Sequence, residues 1–144
     1  MTKQEIFELM NNNPVFFLAT IEENEPRVRG MLLYKADEEG VIFHTGTMKD
    51  VYQQITKNSK VEMCFNDLKL GVQVRVKGEL ESIDDNSMKD EISEHPTREF
   101  LKPWKHSVSS EDFYKTFVVF KMRNGIANVW TFEKNLLPKE QIKL

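Results

Sequence analysis

The stretch VQVRVKGELESI (72–83) alternates apolar and polar residues with a period of two. Val72, Val74 and Val76 share one face, while Gln73, Arg75 and Lys77 share the other. Such a strand offers one side to a core, and its backbone groups need neighbouring strands as partners. The chain supplies candidates at short intervals. PVFFLATI (14–21), RVRGMLLY (27–34) and VIFHT (41–45) are β-rich runs separated by the turn-like EENEP (22–26) and ADEEG (36–40), which predicts a meander of antiparallel strands. VEMCFN (61–66) adds a fourth run. TFVVFKM (116–122) and IANVWTF (126–132), joined by RNG (123–125), predict a closing hairpin.

Helical spacing is confined to a few places. Ile6, Phe7, Leu9 and Met10 fall on one face of a segment that Thr2 can cap and that Asn11, Asn12, Asn13 and Pro14 halt. Lys49 to Asn58 predicts a second helix, with Val51, Tyr52 and Ile55 on one side. Residues 84–106 are polar and predict two short helical stretches broken at Pro96 and Pro103. About six strands without a βαβ rhythm point to a closed antiparallel barrel with added helices. The 144 residues contain no repeat, low-complexity tract or long linker, so the expectation is one domain over residues 1–144.

Twenty Lys and Arg against 23 Asp and Glu give a net charge of -3, which argues against broad nucleic-acid binding. A local cationic pocket for a small anion is compatible with that balance. No run approaches the roughly 18 apolar residues of a membrane span. MTKQEIFELM lacks the basic-then-apolar layout of a secretory signal, so the expected setting is soluble and cytoplasmic. A single cysteine, Cys64, forms no internal disulfide and is expected to point into the core. The spacings of His44, His95, His106 and Cys64 match no zinc pattern, so no metal is expected.

Chemistry concentrates around HTGTMKD (44–50). Thr47 and Asp50 fit the capping pattern of a helix start, and the same start offers free amides, hydroxyls and Lys49 to an anion. Spacing does not choose between the two. Arg27 and Arg29 share a strand face, either as solvated charges or as bidentate anion ligands. Gln73 can both donate to and accept from a planar heterocycle, or simply be solvated. His44, at a strand end, is either a general acid or a packing residue. Trp104 and Trp130 suit a core, an interface or a stacking surface. No serine or cysteine has a base and an orienting partner in view.

PVFFLATIEENEPRVRGMLLYK, then GVIFHTGTMKDVYQQITKNSKVEMCF, then VQVRVKGELE, in that order, resemble the pyridoxamine 5′-phosphate oxidase-like family of FMN-binding split barrels. The resemblance covers roughly residues 5–83 and resumes more loosely over 116–132. It implies a six-stranded antiparallel split β-barrel, and a homodimer with FMN at the subunit interface. It places Arg29, Thr45 and Lys49 on the FMN phosphate, and Gly30 with the Met31, Leu32 and Leu33 backbone against the flavin ring. Gln73 and Trp130 match a glutamine and a tryptophan near the ring. TGTMKD stands where the pyridoxine phosphate oxidases have a serine–arginine–lysine cluster, and TFEKNLLPKE lacks their arginine–histidine substrate motif. The chain is more similar to the general-stress and nitroimidazole-resistance-type subgroup, which makes His44 the candidate catalytic residue. The implied function is an FMN-dependent oxidoreductase acting on a small, nitroaromatic-like molecule. The alternatives are a non-catalytic flavin- or haem-binding stress module and a deazaflavin-dependent reductase.

Overall fold

The computed structural model describes residues 1–144. Helix α1 (Lys3–Asn12) starts at a capping box: the Glu5 amide donates to Thr2 Oγ1 at 3.2 Å, and the Thr2 amide donates to Glu5 Oε2 at 2.6 Å. Its Ile6, Phe7, Leu9 and Met10 are buried against the sheet. The strands are β1 (Val15–Glu22), β2 (Glu25–Asp37), β3 (Gly40–Gly46), β4 (Lys60–Asp67), β5 (Val72–Ile83), β6 (Phe117–Met122), β7 (Ile126–Trp130) and β8 (Gln141–Lys143). Six of them close on one another in the order β4-β1-β2-β3-β6-β5, with β5 pairing back to β4, while β7 and β8 extend from β5. This is the antiparallel split barrel that the alternation and the resemblance imply.

The barrel interior is filled by every second residue of these strands. Phe16 lies at its centre, stacked on Phe65 with ring centroids 4.9 Å apart and edge-on to Phe43 at 5.5 Å. Val74 and Val76 of β5 join the same cluster, as their alternation requires. In β3, by contrast, Val41, Ile42 and Phe43 are all buried. A run buried without alternation means that both faces are covered. The outer cover is a second cluster, in which Ile42, Phe117 and Val119 meet Ile92, Leu101 and Phe113. Those last three come from α3 (Asn86–Ser93), a 3-10 helix (Pro96–Leu101) and α5 (Ser110–Thr116).

Several expectations need correction. β6 and β7 do not form a hairpin: β6 pairs with Leu80–Ile83 of β5, and β7 pairs with Gln73–Lys77 of the same strand. The turn between them redirects the chain through Asn124 at φ 54 and Gly125, where a Cβ would stand 2.7 Å from a Val76 methyl. Pro96 and Pro103 do not break helices. They occupy the first turns of the 3-10 helix and of α4 (Lys102–Ser107), where a missing N–H costs nothing. Helix α5, capped by Ser109, and the short β8 had no periodic apolar pattern long enough to read. Cys64 is half-buried on the outer face of β4, because Met63 and Phe65 take the inner positions. No helix is long and apolar enough to cross a membrane.

Phe16→Ala removes a ring that touches two other buried rings and should cost about 3–5 kcal/mol. Chemical denaturation of the variant beside the parent protein measures the loss.

Candidate functional site

Strand β2 is long because it serves two neighbours in succession. Over Val15–Glu22 it is β1 that pairs with β2, through the whole length from Glu25 to Leu32. Pairing with β3 covers only Leu33 to Asp37, with an irregularity between Leu33 and Lys35. Beyond Leu33 the two strands part, and β3 continues beside β6 as far as Gly46. The edge of β2 from Arg29 to Leu32 therefore faces a cleft instead of a partner strand. That cleft has a volume of about 660 Å³. It brings together Arg29, Gly30, Met31 and Leu32 from one strand with His44 and Thr45 from the other, and Lys49 at the start of α2 (Asp50–Lys57).

Arg29 is held in place by neutral groups. Its Nη1 donates to Thr20 Oγ1 at 2.7 Å and to the Leu18 carbonyl at 3.2 Å, and its Nη2 donates to Gln54 Oε1. Gln54 is 4% exposed; it also accepts from the Thr20 hydroxyl at 2.6 Å and donates to Glu22 Oε2 at 2.7 Å. The guanidinium thus keeps its geometry without a direct carboxylate partner, although burial lowers its pKa while Asp50 and Glu22 oppose that shift. Lys49 adds a second cation at the cleft and joins none of the chain's ion pairs. Asp50 lines the cleft as the one carboxylate against these two cations.

Thr47 does not cap α2. The helix starts at Asp50 with extended Lys49 as its N-cap and no side-chain cap bond, while the Thr47 amide donates to the Thr116 carbonyl at 2.9 Å. A turn from Gly46 to Lys49, closed by a 3.0 Å backbone bond, offsets the start from the sequence pattern. The amides of the helix start consequently lack a side-chain acceptor from their own chain.

The rest of the lining is largely apolar. It includes Met31, Leu32, Met48, Phe100 and Trp104. Gly46 lets the indole come close: a Cβ there would lie 3.3 Å from Trp104 Cη2 and 2.3 Å from Met48 Sδ. Trp104 is backed by Phe113 and Phe117 at centroid distances of 5.4 and 5.8 Å. His44 stacks on Phe117 at 5.2 Å, and its Nε2 accepts from Arg98 Nε at 3.0 Å. Burial, reinforced by the Arg98 charge, pulls the His44 pKa from 6.5 down to about 4.

Three of the residues singled out from sequence lie elsewhere. Leu33 is buried; its amide donates to the Pro14 carbonyl at 2.8 Å and its carbonyl accepts from Arg98 Nη2 at 2.6 Å. Its backbone is therefore committed within the chain. Gln73 and Trp130 are cross-strand partners on β5 and β7, away from the cleft. Their side chains donate to Asn66 Oδ1 and Asn135 Oδ1, each at 2.9 Å. His95, His106 and Cys64 join no group of three side chains suited to a metal.

Sequence reasoning missed Gln54, Arg98 and Phe100. Gln54 had a readable signal, since it sits among Val51 and Ile55 on the buried face of α2. Arg98 had none: its contacts with His44 and Leu33 span 54 and 65 residues. A second cleft of about 510 Å³ holds Lys89 and Lys115 beside Asp84 and Glu111, so its charges balance, and the Lys89 ammonium already donates to Asp84 and the Tyr114 carbonyl. It offers an anion less.

The depressed His44 pKa makes a pH prediction. Above pH 6.5 the ring is neutral in both folded and unfolded chains, and its contribution is constant. As the pH falls from 6.5 towards about 4 the unfolded chain takes up the proton first, so stability drops by on the order of 3 kcal/mol. His44→Gln should remove that part of the slope in denaturation curves recorded across the interval.

A sequence model of the family described as pyridoxamine 5′-phosphate oxidase matches residues 2–126. The chain is 32% identical over 96 residues to a pyridoxine/pyridoxamine 5′-phosphate oxidase of Agrobacterium fabrum, covering 66% of this chain and 47% of that protein. It spans about half the length of the curated relatives it matches. Among solved structures it is similar to a NimC/NimA family protein from Clostridium acetobutylicum, with a TM-score of 0.75, 25% identity, and coverage of 98% of this chain and 92% of the other. A pyridoxamine 5′-phosphate oxidase-related, FMN binding protein from Nostoc punctiforme shares the fold, with a TM-score of 0.63, 14% identity, and coverage of 99% and 96%. With the family match running through the helix start, the strand fork and the barrel, the chain belongs to the pyridoxamine 5′-phosphate oxidase family.

Proposed function

We propose that the chain binds FMN in the cleft between β2 and β3 and acts, as a homodimer, as an FMN-dependent oxidoreductase on a small planar molecule. One observation carries this reading: Arg29 lies on the cleft wall, fixed by neutral partners, and Lys49 lines the same cleft. A preorganised guanidinium without its own carboxylate is suited to a phosphate. The apolar lining of Met31, Leu32 and Trp104 is suited to a flat ring. Donor chemistry and shape both fit a phosphorylated flavin, and the family likeness to an FMN binding protein favours the same ligand.

A bound flavin supplies the electron-transfer chemistry. The chain's own residues do the rest. Arg29 and Lys49 would neutralise the phosphate, Thr45 would help orient it, and Met31 and Leu32 would shield the ring from water. Haem suits the cleft less well, because His44, the histidine on its wall, has Nε2 committed to Arg98.

The homodimer is supported by the outer face of β1 and β2. Val15, Phe17 and Val28 are 63%, 49% and 69% exposed, and the register places Phe17 opposite Gly30 and Val28 opposite Ala19. This apolar strip adjoins the cleft, and a second copy would cover it.

The purified protein should be yellow, should release FMN on denaturation and should sediment as a dimer. In calorimetry, Lys49→Ala should weaken FMN binding about 10- to 100-fold through loss of a charge-assisted contact. Arg29→Lys should weaken it as well, because an ammonium cannot reproduce the forked contacts. A colourless protein that gives no heat with added FMN overturns the proposal, as does unchanged affinity in both variants.

A further inference from the structure

Arg98 is 3% exposed and meets no carboxylate. Its three nitrogens donate to His44 Nε2 at 3.0 Å, to the Leu33 carbonyl at 2.6 Å and to Thr97 Oγ1 at 2.9 Å, and its guanidinium lies 5.7 Å from the centre of the Tyr34 ring. A guanidinium has donors only and does not lose its proton in a protein. The ring nitrogen facing it must therefore offer a lone pair, which leaves the single proton of a neutral imidazole on Nδ1. No side chain or carbonyl of the chain accepts that proton, and His44 lies on the cleft wall.

The groups packed around the ring are Phe117 from β6 with Phe100 and Arg98 from the 3-10 helix, of which Arg98 alone is charged. Arg29, Lys49 and Asp50 are the charged groups elsewhere on the cleft wall. We propose that His44 is a specificity residue, a fixed Nδ1–H donor that selects planar ligands bearing an acceptor oxygen, and that Arg98 is the positioning residue that sets this tautomer. This rests on the reading of the cleft as a ligand site, but not on which cofactor it holds. It also reassigns His44: a ring locked against a guanidinium is a hydrogen-bond donor, not a general acid. A proton added at Nε2 would break the Arg98 bond and set two cations together in a desolvated place.

Two measurements test this, and they fail separately. In the ¹⁵N-histidine-labelled protein, long-range ¹H–¹⁵N spectra assigned with His44→Phe should show His44 as the neutral Nδ1–H tautomer from pH 5.5 to 8, values chosen as roughly spanning the ordinary histidine range. In Arg98→Met the ring should lose the fixed tautomer and populate the Nε2–H form as well. Should Arg98→Met not fold, the wild-type spectra decide the tautomer alone. An Nε2–H tautomer, or ordinary titration in the wild type, overturns the assignment.

The second measurement compares acetophenone with α-methylstyrene, which differ in having a carbonyl oxygen or a methylene group at the same place. By NMR titration of cleft amides, the ratio of affinities should favour acetophenone about 3- to 10-fold more in the wild type than in His44→Phe. His44→Asn, which restores a donor near Nδ1, should recover part of that ratio. An identical ratio in the wild type and His44→Phe overturns the selective role, whatever the protein does with FMN. Loss of FMN binding with the ratio intact would overturn the flavin reading and leave this one standing.

Discussion

The ladder between β2 and β3 stops at Leu33, and a buried guanidinium occupies the point where it stops. Arg98 takes the Leu33 carbonyl on one strand and the His44 ring on the other. A carbonyl left without its ladder partner would be costly if it found none. Arg98 meets that need from outside the sheet, so the strands can part with their polar groups satisfied at the fork. The cleft, its donor set and its apolar wall all follow from this parting. Below the fork the strands share a barrel core; above it they become the two sides of a site.

The polar and apolar parts of the cleft lining owe their character to different layers of the fold. Arg29 is braced from the barrel side, where Thr20 and Gln54 grip it. Trp104 is braced by Phe113 of the outer helices along with Phe117 of β6. An amphipathic ligand is matched by an amphipathic pocket built from two packing layers. The proposed selectivity of His44 belongs between them, on the strand that both layers cover.

Much of this was legible in the sequence, for reasons that are local. The period of two over 72–83 and the turn residues at 22–26 and 36–40 are short-range signals, and the barrel they predicted is the one observed. Arg29, Thr45 and Lys49 were grouped by the family resemblance and not by spacing, and all three line the one cleft. The failures have different reaches. Arg98 reaches His44 across 54 residues from a polar segment with no periodic pattern. The expected hairpin of β6 and β7 failed because adjacency in sequence was read as pairing, whereas both strands pair with successive halves of β5. The Thr47 cap failed for a subtler reason: a turn was inserted before the helix, and a four-residue pattern cannot register it.

Recognition of a flavin phosphate by Arg29 and Lys49 is tested most directly by calorimetry with FMN and with riboflavin, which lacks only that phosphate. The wild type should bind FMN on the order of 100-fold more tightly than riboflavin, and an Arg29→Ala, Lys49→Ala double variant should lose most of the difference. Equal affinity for FMN and riboflavin in the wild type would contradict it.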